Sequence, residues 1–112
     1  MDKHIKTWLY DILQSIHEIE SYFDNDQYGY NDYVADTKTK RAVERDLEII
    51  GEAINRILKL DDSIKISNAR NIIGTRNRII HGYDTISDQL IWSIVQKDLP
   101  ILKTEVEYLL GE

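Results

Sequence analysis

Apolar residues recur every three or four positions at the start of the chain: Ile5, Leu9, Ile12, Ile16, Ile19 and Phe23. That spacing is one face of a helix and predicts one from about Lys3 to Phe23. Asp24 to Asp32, an acidic, tyrosine-rich stretch around Gly29, breaks the rhythm and reads as a loop. The rhythm resumes with Ala42, Val43, Ile50, Ala53, Ile54 and Ile57, predicting a second helix from about Thr37 to Leu60. Lys59-Leu60-Asp61-Asp62 ends it. Ser67 is placed to cap a third helix, Asn68 to Tyr83, which Gly82 closes. Ser87 caps a fourth stretch reaching about Leu110, and Pro100 must kink or restart it. Four helical stretches without a strand predict an all-α, up-and-down bundle.

Composition agrees and narrows the classes. A chain of 112 residues is long enough for one hydrophobic core, so a single domain is expected over 1–112. Five glycines and one proline leave long helices uninterrupted, and no cysteine is present for a disulfide or a thiolate metal site. Charges spread through the first 23 residues predict no signal peptide. No later stretch is apolar enough to span a membrane, and a cytoplasmic protein is expected.

The net charge of −6 argues against a general nucleic-acid coat, but the distribution is uneven. From Ser63 to Tyr83 there are four cations (Lys65, Arg70, Arg76, Arg78) and no acid; removing this +4 from −6 leaves −10 on the remainder. An anion is repelled by most of the surface and drawn to one place. That place is the third helix, with the core Arg76-Asn77-Arg78-Ile79-Ile80-His81-Gly82-Tyr83. An arginine and a histidine held together can do phosphodiester chemistry without a metal: one neutralises phosphate charge and the other moves protons.

Helical geometry assigns the faces of that helix. With Ile72 at zero and about 100° per residue, Ile72, Ile73, Ile79 and Ile80 make an apolar face with Arg76 near its middle, at about 40°. Arg70, Gly74, Asn77 and His81 form a second stripe between about 140° and 200°. Arg78, Asn71 and Thr75 take the remaining side, toward solvent. A guanidinium among isoleucines needs a carboxylate or the rim of a cleft. Asp46 is similarly central on the second helix's apolar face, which predicts an Asp46–Arg76 contact. Such a pair can equally serve only to fix helix register. Asn77, one turn before His81, can hold its ring.

Other chemistries are weaker. His4, His17 and His81 have no paired spacing, so no metal centre and no cofactor are expected. The glycines do not form a phosphate loop; Gly51 reads as a point of close helix packing. Tyr28 to Tyr33 reads as a helix-connecting flap rather than a base-stacking platform.

The Arg-x4-His-x-Tyr pattern at Arg76, His81 and Tyr83 resembles the signature of HepT-type HEPN toxins. Leu9 to Leu13 is similar to the family's opening, Leu47 to Ala53 to its second-helix motif, and Ile91-Trp92 and Asp98 to Pro100 to its last helix. The resemblance implies a four-to-five-helix HEPN bundle, homodimeric, with the signature helices facing a cleft between protomers. It implies a metal-independent RNA endonuclease leaving a 2′,3′-cyclic phosphate. His81 would be the general acid and base, Arg76 would stabilise the phosphorane-like charge, and Asn77 would orient the site. Asp46 departs from the family, where a neutral polar residue is more usual; it and Arg78 are expected to support the site, and Arg70 to bind substrate. It further implies a toxin–antitoxin partner, a minimal nucleotidyltransferase that attaches AMP to Tyr83. Transfer RNA and messenger RNA are both open as substrates. The competing reading is an inactive HEPN module that dimerises and binds nucleotide or the nucleotidyltransferase without cutting RNA. A third reading is a bundle whose polar stripe only fixes helix register.

Overall fold

The computed structural model describes residues 1–82 and 86–111, and these form helices joined by turns and short irregular segments, with no strand. The elements are α1 (Lys3–Tyr22), α2 (Tyr30–Ala35), α3 (Thr37–Leu60), α4 (Ala69–His81), α5 (Asp88–Ser93), a π-helical turn (Ile94–Asp98) and α6 (Leu99–Leu110). Residues 88–110 keep right-handed helical dihedrals across both junctions, so α5, the π turn and α6 form one rod. Four rods and one short helix make the expected all-α bundle.

Three of the starts, those of α1, α3 and α5, are fixed by a side chain that satisfies otherwise orphaned N–H groups. Asp2 accepts from the N–H groups of His4 and Ile5, Asp36 from Thr39, and Ser87 from Leu90. The α1 stripe is buried at Ile5, Leu9, Ile12, Ile16 and Ile19, and α3 buries Val43, Leu47, Ile50, Ile54 and Ile57. Helix α3 is the centre: α1 covers one side and α4 the other, while α6 packs on α1. The molecule measures 42 × 32 × 18 Å, a slab with α4 packed chiefly on α3.

Two details differ from expectation. The loop after α1 contains α2, begun by the Gly29 N–H donating to Asp32 Oδ2 at 2.8 Å. Its Tyr33 is buried against Phe23 and Trp92 with its hydroxyl unpartnered among the described residues, so this tyrosine is core, while Tyr28 and Tyr30 are half-buried. Ser67 does not cap α4. Its hydroxyl donates to Glu105 Oε2 at 2.6 Å, and Asn68 takes the cap position in a left-handed conformation (φ 61°) that asparagine tolerates. Pro100 restarts the last rod as expected: α6 begins at Leu99 with the proline in its first turn, directly after the π-helical turn. The widened turn before it removes the clash between the proline ring and the preceding carbonyls, and the Leu99 N–H reaches back five residues to Ile94.

Candidate active site

Helix α4 is pinned at both ends. Asp98 accepts from the side-chain amides of Asn68 (3.4 Å) and Asn71 (3.2 Å), tying its start to the last rod. Gly82 ends it in the left-handed region (φ 61°), donating its N–H to Arg78 at 3.1 Å. Arg78 and His81 lie in the last turn, where cations favour the helix dipole. The helix is therefore regular through His81, and its faces follow the 100° rule.

Between the ends, α4 meets α3 where the latter lacks a side chain. A Cβ on Gly51 would stand 2.5 Å from Arg76 Cβ and 3.3 Å from the Ile72 carbonyl oxygen. The close packing expected of Gly51 is present, and it presses the Arg76 stem against α3. The guanidinium turns outward from there. Its Nη2 donates to Glu52 in a salt bridge, and Nη1 donates to Asn77 Oδ1 at 2.9 Å. Its Nε is buried and has no acceptor among the described residues. Glu52 also accepts from Arg56 Nε at 2.8 Å, so one carboxylate is shared by two arginines. Arg76 ends in a groove of about 400 Å³ between α1, α3 and α4, with Trp8, Arg45, Ile49, Glu52 and Ile80 in its walls.

The expected Asp46–Arg76 contact is absent. Asp46 is buried, as its place in the apolar stripe requires, but it accepts from the Tyr22 hydroxyl of α1 at 3.0 Å. Asp46 and Gly51 are five residues apart, about 140° around α3, so one faces α1 and the other faces α4. Asp46 thus has no part in holding Arg76; Glu52 does that. Burial first, then the neighbouring Glu18 carboxylate, pushes the Asp46 carboxyl up to about 7.

The sign of the resulting pH dependence follows. The folded state binds the Asp46 proton more tightly than the unfolded chain does. Its contribution to stability is therefore full below the ordinary carboxylate range and lost as pH rises through about 7. Wild type should lose stability from this group as pH rises between about 4 and 7. Asp46→Asn should remove that slope and be the more stable protein at pH 8 by urea unfolding. Parallel pH profiles for the two proteins would disprove the assignment.

The side-chain oxygen of Asn77 accepts from the arginine, its neighbour in sequence. His81 is exposed, about 140° around the helix from the half-buried Arg76, so the two point to different sides of one protomer. Arg70 and Arg78 are exposed on a second groove of about 610 Å³. Thr75 is not solvent-facing: it is buried, its hydroxyl donating to the Asn71 carbonyl at 2.9 Å. Ile80, expected to bury, is 46% exposed. Tyr83 lies outside the described residues. Glu52 was legible only as part of the Leu47 to Ala53 motif; nothing in its own spacing separates it from Glu48 as the partner of Arg76.

Comparisons with known proteins bear on the same residues. A family model described as "Ribonuclease HepT-like" matches residues 12–109, which includes all of α3 and α4. A Methanocaldococcus jannaschii protein named "Putative RNase MJ1380" is 37% identical over 107 residues, covering 94% of this chain and 95% of its own. A Thermococcus cleftensis protein named "Probable ribonuclease HepT" is 34% identical over 113 residues, covering 97% and 98%. No solved structure matches. With a family match over most of its length and relatives aligned nearly end to end, the chain belongs to the ribonuclease HepT-like family.

Proposed function

We propose that this chain is the toxin of a toxin–antitoxin pair, a cytoplasmic, metal-independent RNA endonuclease acting as a homodimer. The observation that carries the reading is the Arg76 clamp. Glu52 and Asn77 fix the guanidinium at the rim of a groove. A preorganised cation of this kind stabilises charge that develops on a phosphate in the transition state. In the reaction the ribose 2′-oxygen bonds to phosphorus and the bond to the 5′-oxygen breaks. His81 takes the 2′-OH proton or delivers one to the leaving oxygen. The products are a 2′,3′-cyclic phosphate and a 5′-hydroxyl. Arg78 adds positive charge beside His81, and Arg70 contacts the substrate.

Family membership supports the reaction class, and the exposed Ile49 and Ile80 at the Arg76 groove support a second copy covering that face. Regulation follows from Tyr83. A minimal nucleotidyltransferase antitoxin attaches AMP to its hydroxyl, placing negative charge two residues from His81 and repelling RNA.

Purified wild type should cut RNA in excess chelator and leave cyclic phosphate ends; intact RNA under these conditions would refute the reading. Co-expression with the nucleotidyltransferase should add adenylyl mass mapping to Tyr83. Glu52→Gln should lower kcat about tenfold with an unchanged fold, because the guanidinium loses its anchor. Unchanged kcat would show that the clamp is not needed. One observation favours a non-catalytic dimerisation or nucleotide-binding module instead: Glu52 already neutralises Arg76. That reading predicts no cleavage by wild type, with dimerisation and partner binding intact.

A further inference from the structure

We infer that a single RNA strand lies along the side of α4 opposite the Arg76 groove, with separate phosphates of it held by Arg70 and Arg78 as it passes His81. This deepens the nuclease reading and rests on it. The groove on that side has a volume of about 610 Å³ and is lined by Asn68, Arg70, Asn71, Gly74, Arg78 and Leu90 among its walls. No carboxylate lines it, in a chain of net charge −6. Both arginines are exposed, and among the described residues neither is paired with an acid. The Asp98 carboxylate accepts from the amides of Asn68 and Asn71 and so holds them at the groove wall.

Geometry specifies the ligand. Arg70 and Arg78 are eight residues apart, about 12 Å along the axis of a regular helix. One phosphate does not span that distance, whereas a chain of phosphates does. Around the axis, with Ile72 at zero, Arg70, His81 and Arg78 fall at about 160°, 180° and 240°. A strand held by the two arginines is therefore on the histidine's side of α4. Gly74, midway between them, has nothing within 4 Å of where a Cβ would stand, leaving room for the backbone of the strand.

The test uses the full-length protein and a dye-labelled single-stranded oligoribonucleotide, 2′-O-methylated so that it binds without being cut. Arg70→Gln/Arg78→Gln should weaken binding about tenfold at low salt. It should also lower the slope of log affinity against log salt by about 1.4, the equivalent of two single-strand phosphate contacts. Lys38→Gln/Lys59→Gln, which removes two exposed charges elsewhere, should bind like wild type. Unchanged affinity and slope in the arginine variant, or an equal loss in the lysine control, would overturn the inference. So would loss of nucleotidyltransferase binding with RNA binding intact, because the arginines would then serve a protein surface. If wild type binds the oligomer but never cuts unmodified RNA, the nuclease reading fails while the slope still decides the strand path. If wild type does not bind at all, both fall.

Discussion

A heterodimer of one Arg76→Ala and one His81→Ala protomer is expected to recover about half of wild-type RNA cleavage, where each variant homodimer is inert. The reason is the regularity of α4. It runs unbroken to His81, and Gly82 ends it without distorting the last turn. Arg76 is directed at Gly51 and Glu52 of α3, and His81 lies about 140° away around the helix. One protomer cannot easily bring both to one phosphate, but two facing copies of α4 can. In a two-fold dimer each site would take its arginine from one chain and its histidine from the other. The mixed dimer then keeps one complete site and loses both groups from the second. Each single variant should lose about 10²- to 10⁴-fold in kcat, the range for removing a general acid–base or a charge-stabilising donor. Tandem purification on two different tags, followed by a cleavage assay, reads the result. A mixed dimer as inactive as its parents would place both groups of each site in one chain.

Gly51→Ala is expected to destabilise the protein by about 2 kcal/mol, although alanine is the better helix former by about 1 kcal/mol. The new methyl would stand 2.5 Å from Arg76 Cβ and 2.9 Å from its Cγ. Those atoms are the root of the side chain and move only with the α4 backbone, so the helices must separate. Separation opens the contact at Ile72, which is buried, and carries the guanidinium away from Glu52. Stability and cleavage should therefore fall together, with cleavage reduced even well below the unfolding temperature. Gly74→Ala is the matched control. It sits mid-helix in α4 with nothing within 4 Å, and should gain up to about 1 kcal/mol. Urea midpoints that rank Gly51→Ala with Gly74→Ala would show that the helices do not need this contact.

Much of this architecture could be read from spacing. The α1 stripe, the α3 face, the Gly82 stop and the Ser87 cap each follow from a local rule, and each is present. Neighbours were harder. Periodicity put Asp46 in the buried arc of α3 and was right about burial, but it does not say which helix covers which part of that arc. The arc is shared between α1 and α4, so the carboxylate nearest its centre met a tyrosine, while Glu52 at its rim met the arginine. Ile80 shows the same limit, being apolar by pattern and open by position. Six-residue α2 is too short to show a period, and its N-terminal glycine looked like a loop signal. Within the candidate site, Arg76 and His81 were marked by charge and residue type, and Glu52 became visible only once α4 had a place.

The π turn at Ile94–Asp98 has a consequence for chain length. Such a turn holds one residue more than an α-helix needs, so it behaves as an insertion absorbed in place. Removing the exposed Gln96 should take out the extra residue, set the Pro100 ring against a carbonyl one turn back, and rotate the residues before the deletion by about 100° relative to those after it. Either the Trp92 edge would leave the aromatic cluster or Asp98 would swing away from Asn68 and Asn71. A shorter relative without that extra residue would need a different latch for the start of its arginine-bearing helix.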